Sequence, residues 1–356
     1  MGEETLVDTA SLVIGFTCLL LGALCGGSFG LPSKYAPKET PWENLWGPFF
    51  LIVTLAMPLL AGPLLVPDFF AIFGQTRLVD LVPPLVFGLL WGAGSMTLGK
   101  SFSLVGLSLA YSLNYGAQIV FGAITPMVLH HRERVLTLQG GIILLGVAVC
   151  VAGVVVAGRA GILKERSLQK EASSRSTEEE STSLMLAGLL LAIFSGFLCA
   201  CYGVAASYTN PVAKVAEEQF HHAPWQVSCV TTSIILFGGA VSSCLYCAFQ
   251  LTRNRTWRKF LAPGTGRILL IALAMALLHN GAIYLFNLGF PRLGKLGVSV
   301  GYAAFMSFAI IVGNLHGFRT GEWKGAGRLS LQWIVTAIAI LILGVCVLAW
   351  GNALGE

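Results

Sequence analysis

Charge is scarce in this 356-residue chain: Asp, Glu, Lys and Arg make up 11% of it, against 55% hydrophobic residues. Soluble globular domains are about a quarter charged, so most of this chain cannot face water. No polar stretch is long enough to form a soluble domain. No nucleotide-binding motor is present, so energy from ATP would have to come from another chain. The nine cysteines do not build a disulfide framework. They fall in apolar stretches, where cysteine acts as a small apolar packer. Cys199-Ala200-Cys201 and Cys244-Leu245-Tyr246-Cys247 lack the second Cys or His pair that a metal site needs. No nucleophile–base or metal constellation is visible, so an enzyme is not expected. Neither a cofactor nor a nucleic-acid partner is called for.

What the chain has instead is ten apolar runs, at 10–30, 45–66, 81–99, 104–126, 137–158, 183–208, 227–250, 267–288, 296–316 and 331–351. A hydrocarbon core about 30 Å thick needs roughly 20 apolar residues per helix. Lipid leaves backbone groups no water to bond, so a spanning chain must be helical or a closed barrel. The runs are continuous rather than alternating, which predicts helices. The expected fold is an all-α polytopic membrane protein with ten transmembrane helices. The first run follows the acidic start Met1-Gly2-Glu3-Glu4 and lacks a basic leader segment, so it reads as a retained span.

The net charge of +5 comes from the loops. Loops after the odd-numbered spans hold 16 Lys and Arg, and the remaining loops and termini hold 6. The positive-inside rule therefore puts the odd loops in the cytoplasm and both termini outside. The basic loop Arg253-Asn254-Arg255-Thr256-Trp257-Arg258-Lys259 reads as a topology anchor, and membrane lipid heads are a partner it suits.

The chain divides at a polar linker, 159–182, into a first half (1–158) and a second half (183–356). The halves echo one another. Gly106-Leu-Ser-Leu-Ala-Tyr111 matches Gly297-Val-Ser-Val-Gly-Tyr302, Phe29-Gly30 with Tyr35 matches Tyr202-Gly203 with Tyr208, and Leu98-Gly99 matches Leu288-Gly289. Five spans per half is an odd number, so the second copy must insert upside down. Inverted repeats build many secondary transporters, with the substrate site at mid-membrane between the halves. A duplicated scaffold without transport activity is the plainer reading of the same pattern.

Polar residues within the spans point to that site, because polar side chains facing lipid are costly. Ser108, Tyr111, Asn114, Tyr115 and Gln118 share one face of span four, continued by Thr125. Span eight carries Asn280, Tyr284 and Asn287, with His279 alongside. Span nine offers Ser299 and Tyr302, span six Ser195, Cys199 and Tyr202, and span three Trp91. Tyrosine rings stack on the C–H faces of sugars, and amides both donate to and accept from hydroxyls. Hydrogen bonding between helices is the alternative use of such residues. No Asp or Glu lies clearly within a span. His279, and Glu43 at the start of span two, are the candidate proton carriers. Sodium coupling through carbonyls and hydroxyls would leave no readable trace. Lys34, Lys100 and Lys295 would suit an anionic substrate if they faced the cavity; snorkelling to the interface is their simpler role.

Four stretches resemble the L-rhamnose–proton symporter family of the drug/metabolite transporter superfamily. They are Lys34-Tyr35-Ala36-Pro37-Lys38 running into Trp42-Glu43-Asn44-Leu45-Trp46; Phe87-Gly88-Leu-Leu-Trp91-Gly92-Ala-Gly94 with Gly99 and Gly106; Gly158-Arg159-Ala160-Gly161 leading to Lys164-Glu165-Arg166; and Glu322-Trp323 with Ala326-Gly327. The resemblance implies two inverted five-helix repeats and sugar uptake driven by an ion gradient, proton or sodium, across the plasma or inner membrane. Tyr111, Asn114, Tyr115, Gln118, Trp91, Asn280, Tyr284 and Tyr302 are then the expected contacts of a small neutral sugar, L-rhamnose or a relative. An anion antiporter for phosphorylated or nucleotide sugars, and a drug or metabolite exporter, are the rival readings.

Overall fold

The computed structural model describes residues 9–130, 136–172, 178–293 and 301–354, excluding the side chains of 125–130, 169–172, 178–182 and 303. Lys295, Ser299 and the first residues expected of span nine lie outside these, as do the side chain of Thr125 and part of the 159–182 linker.

The described residues form helices and no strands. The long ones are α1 (Thr9–Ser28), α2 (Trp42–Leu65), α3 (Leu78–His130), α4 (Leu138–Ala172), α5 (Glu178–Ser207), α6 (Pro224–Arg253), α7 (Thr265–Gly289), α8 (Tyr302–Arg319) and α9 (Arg328–Ala353). Among the described residues, eight helices are long and apolar enough to cross a membrane. Ten were expected from the sequence, and the difference has two physical sources. Spans 81–99 and 104–126 both lie in α3, which runs 53 residues and breaks at Gly106 (φ 85, ψ 172). An unbroken helix of that length would reach about 80 Å, far beyond one bilayer. Helix α8 has 18 residues and carries Asn314, His316 and Arg319, which dilute its apolar character.

Helix α2 shows how local sequence shapes the bundle. Residues Ile52–Ala56 are a π-helical turn just before Pro58. In that i→i+5 register the Val53 carbonyl would look to residue 58, and proline has no N–H to give it. Asn280 of α7, fully buried, supplies the missing donor: its Nδ2 lies 3.1 Å from the Val53 oxygen. A polar side chain inside one helix thereby repairs a proline defect in another.

The helices pack in a definite pattern: α3 on α5, α6 and α8; α4 on α9; α1 on α7 and α8; and α2 on α6 and α7. Small residues set the closest crossing. A Cβ on Gly88 of α3 would sit 2.3 Å from the Ile235 oxygen, and one on Gly238 of α6 would sit 2.2 Å from the Leu85 oxygen. The two backbones touch there, as small residues allow in lipid.

Polar contacts tie the two ends of the bundle. At one end Glu43 accepts from Asn254 Nδ2 at 3.0 Å and Thr256 Oγ1 at 2.9 Å, Asn44 Nδ2 donates to the Thr256 carbonyl, and Lys34 pairs with Glu322. At the other end Gln226 donates to the Leu65 carbonyl and Ser11 to the Arg292 carbonyl. Between them runs an aromatic core that includes Phe29, Trp46, Phe49, Phe50, Phe102 and Tyr111.

Candidate functional site

A cavity of about 370 Å³ lies inside the bundle, walled by α1, α2, α3, α5, α7 and α8. That is at the lower end of the roughly 300–1,000 Å³ typical of small-molecule sites. Both halves of α3 contribute: Trp91, Ser95 and Leu98 before the Gly106 break, and Tyr115, Gln118 and Gly122 after it. From α5 come Cys199, Ala200, Tyr202 and Gly203, and from α8 Tyr302, Phe305 and Met306. Helix α7 adds His279, Ala282, Ile283, Phe286 and Asn287; Gly26, Phe29 and Phe49 complete the wall. None of these residues is Lys, Arg, Asp or Glu.

The polar wall residues are held by hydrogen bonds behind them. Gln118 Nε2 donates to Asn114 Oδ1 at 2.6 Å, and Asn114 Nδ2 donates to Ser195 Oγ at 2.7 Å, with Cys199 Sγ at 3.8 Å. This chain orients the Gln118 amide and leaves its carbonyl oxygen free to accept. Across the cavity Asn287 Nδ2 donates to Thr232 Oγ1 at 2.6 Å, and the Tyr202 hydroxyl lies 3.2 Å from the same oxygen. Tyr115 donates to the Gly26 carbonyl at 3.0 Å, so it offers the cavity chiefly its ring.

His279 sits among rings. Its centroid is 5.1 Å from that of Phe29 and 5.7 Å from that of Phe49, both edge-on, and 5.9 Å from Trp91. Its Nδ1 is 3.4 Å from Asn280 Oδ1. Phe286 and Phe305 pair at 5.0 Å on the α7–α8 side.

The residues expected from sequence separate into two groups. Trp91, Tyr115, Gln118, Tyr302 and His279 meet at the cavity wall, with Cys199, Tyr202 and Asn287. The others lie behind it. Asn114 holds Gln118 from the rear. Tyr111 is fully buried, its ring 5.5 Å from that of Tyr115 and its hydroxyl accepting from the Gly30 N–H at 2.9 Å. Asn280 serves the Val53 carbonyl. Tyr284 packs against a separate apolar cluster around Val227 and Val230, its hydroxyl without a hydrogen-bond partner among the described residues. Glu43 is at one end of the bundle, bonded to Asn254 and Thr256.

Two of the three lysines weighed for an anionic substrate are also accounted for. Lys34 pairs with Glu322 at 2.8 Å. Lys100 donates to the Tyr246 hydroxyl and lies over the Trp42 ring at 5.3 Å. Neither lines the cavity. Among the described residues no three His, Cys, Asp or Glu side chains gather as a metal site.

Sequence reasoning missed Phe29, Phe49, Phe286, Phe305 and Met306 as wall residues. Nothing in a single sequence separates a phenylalanine facing a cavity from one facing lipid. Ser95, also missed, carried a readable signal, a polar group in an apolar span.

Residues 8–354 match the L-rhamnose-proton symport protein family. Among curated proteins, the L-rhamnose-proton symporters of Salmonella newport and Salmonella agona are each 28% identical over 346 residues. Each alignment covers 94% of this chain and 98% of the relative. No solved structure matches.

Proposed function

This chain belongs to the L-rhamnose-proton symport protein family, and from that premise we propose that it carries a small neutral sugar, L-rhamnose or a related monosaccharide, across the membrane together with protons. It is a multi-pass membrane transporter and not an enzyme. The observation that carries the sugar reading is the cavity wall. It combines flat rings, from Trp91, Tyr115 and Tyr302, with the uncharged hydrogen-bonding groups of Ser95, Gln118 and Asn287. Rings suit the C–H faces of a pyranose, and amide and hydroxyl groups suit its vicinal hydroxyls. A wall without formal charge favours a neutral solute over a phosphorylated one, because an anion buried without a partner is strongly disfavoured.

Alternating access is supported by the packing pattern. Counting α3 as two spans and α8 as the ninth gives ten, five in residues 1–158 and five in 183–356. Exchanging the halves then maps the main helix pairs onto one another: spans one with eight and nine onto six with three and four, and span two with seven and five with ten onto themselves. An inverted repeat of two five-helix units predicts this exchange, and rocking of one unit against the other exposes the site to each side in turn. The excess of Lys and Arg in the odd loops supports an orientation with those loops in the cytoplasm and the termini outside, and the family reading supports a plasma or inner membrane.

The test is uptake of radiolabelled L-rhamnose and a panel of monosaccharides into proteoliposomes, with and without an inward proton gradient. Saturable uptake that rises with the gradient is expected, and the double variant Asn114→Ala, Gln118→Ala should lose it. Wild-type transport by that double variant, or no sugar uptake by folded protein, would refute the reading.

A further inference from the structure

The Gly106 break does more than turn the chain. The helix that restarts after it presents the N–H groups of Leu107 and Ser108, which have no acceptor in their own helix. Glu322, in the turn between α8 and α9, reaches back over more than two hundred residues to cap them. Its Oε1 accepts from Leu107 N at 2.7 Å and its Oε2 from Ser108 N at 3.0 Å. The fit depends on missing side chains: a Cβ on Gly106 would lie 2.6 Å from Oε2, and one on Gly317 would lie 2.8 Å from it. The same carboxylate pairs with Lys34, on the segment Leu31–Tyr35 that follows α1, at 2.8 Å. The Glu322 side chain is only 7% exposed, against 32% for Lys34.

One carboxylate thus ties three separate elements at one end of the bundle: the segment after α1, the broken middle of α3, and the turn before α9. These are parts of both proposed halves. Rocking the halves apart at this end requires the contact to break. Tyr111 lies near Glu322 and packs its ring 5.5 Å from that of the wall residue Tyr115. Other titratable and charged groups face this contact, and the buried Lys164 interacts with both Glu322 and Lys34 and with Glu165. Lys164 of α4 lies over the Trp323 ring at 5.0 Å, His316 of α8 is 2.8 Å from Ser28 Oγ, and the Tyr111 hydroxyl is held by Gly30.

We propose that Glu322 is the acid through which proton binding opens this end of the carrier. The ionised carboxylate holds the end shut by the Lys34 pair and by its attraction to the helix N-terminus, which favours an anion. A proton that reaches it from the cavity side, while the cavity is open to the opposite solution, neutralises the carboxylate and ends both attractions at once. The Lys34 ammonium returns to water, the end opens, and Glu322 meets solvent there and gives the proton up. Glu43, the other acid buried at this end, is bonded to Asn254 and Thr256 and ties α2 only to the turn after α6. The proposal rests on the proton-coupled sugar reading above.

The test compares gradient-driven accumulation with equilibrium exchange of labelled L-rhamnose in proteoliposomes. Glu322→Gln imitates the protonated acid; it should lose accumulation, retain measurable exchange, and make exchange independent of pH. Glu322→Asp keeps a titratable group and should restore the pH response. Lys34→Met removes only the cation, and with it one of the attractions that hold the end shut, so the midpoint of the exchange–pH profile should move toward higher pH. A purely structural brace would leave that midpoint where it is. If Glu322→Gln does not fold, the Lys34→Met midpoint decides the matter by itself. Accumulation by E322Q equal to wild type, or an unmoved midpoint in K34M, overturns the proposal alone. Wild-type liposomes that concentrate no sugar on a proton gradient overturn the coupled reading, and the proposal with it.

Discussion

Gly106→Ala is the most informative single perturbation, since two independent penalties meet at that residue. Its φ of 85 and ψ of 172 lie in a region open essentially to glycine, and an alanine held there costs about 1–3 kcal/mol. The new methyl carbon would also sit 2.6 Å from Glu322 Oε2 and 2.7 Å from its carboxyl carbon. The carboxylate must withdraw, and the hydrogen bonds from Leu107 and Ser108 go with it. Hydrogen bonds to a charged group contribute about 1.5–3 kcal/mol each. Taking the low end throughout, the substitution costs about 4 kcal/mol. The free cysteines, six of them buried, make a thermal melt in detergent followed by a thiol-reactive dye a direct assay. The midpoint should fall by on the order of 5 °C or more. Gly158→Ala is the control: it lies within α4 with no atom in reach of a new Cβ, and alanine there should stabilise by up to about 1 kcal/mol. A second check uses non-additivity. Gly106→Ala and Glu322→Gln weaken the same contacts, so the double variant should lose clearly less than the sum of the singles. A G106A midpoint at or above that of wild type, or full additivity with E322Q, would refute the reasoning.

Three further outcomes follow from the packing and the cavity wall. Asn280→Ala leaves the Val53 carbonyl without a donor and should destabilise by about 1–3 kcal/mol in the same melt; an unchanged midpoint counts against the proline-repair role. Gly238→Ala forces a Cβ to within 2.2 Å of the Leu85 oxygen and should cost about 1–3 kcal/mol as α3 and α6 part, whereas tolerance would mean the crossing is loose. Gln118→Ala removes a wall amide while its support remains, so the KM for sugar should rise about tenfold with little change in melting; an unaltered KM would place the sugar elsewhere in the cavity.

The lock at the end of the bundle gives the short polar segments a purpose that their composition concealed. Glu322, Glu43, Lys34 and Lys100 all lie near the ends of apolar spans in the sequence. In the fold each is committed to a partner, and each partner belongs to a distant part of the chain. This also explains why Lys34 and Lys100 do not serve the cavity: their charge is satisfied at the end of the bundle, and the wall is left neutral.

Much was legible in the sequence because lipid is an undemanding reader. A helix that crosses hydrocarbon must be apolar for about 20 residues, so the apolar spans could be located by composition. Polar residues inside those spans are costly enough that Gln118, Tyr115, Tyr302, Trp91 and His279 could be nominated for a cavity from their positions along the chain. Family resemblance could be read from short motifs along the chain. The rest required the packed bundle. Asn114 and Gln118 lie on one helical stripe, yet Gln118 faces the cavity and Asn114 braces it, because α5 brings Ser195 up behind. Asn280 and Tyr284 share a face of α7, but the π turn of α2 claims the first and an apolar cluster the second. The phenylalanines of the wall had no sequence signal, since a ring facing a cavity and a ring facing lipid look alike along the chain. Glu322 meets Gly106 only through long-range folding. Which segments enter the membrane is written in local composition, because it depends on each residue's own transfer from water. Which side chains face the cavity, and which acid closes its end, depends on how helices from opposite halves meet, and no single segment carries that information.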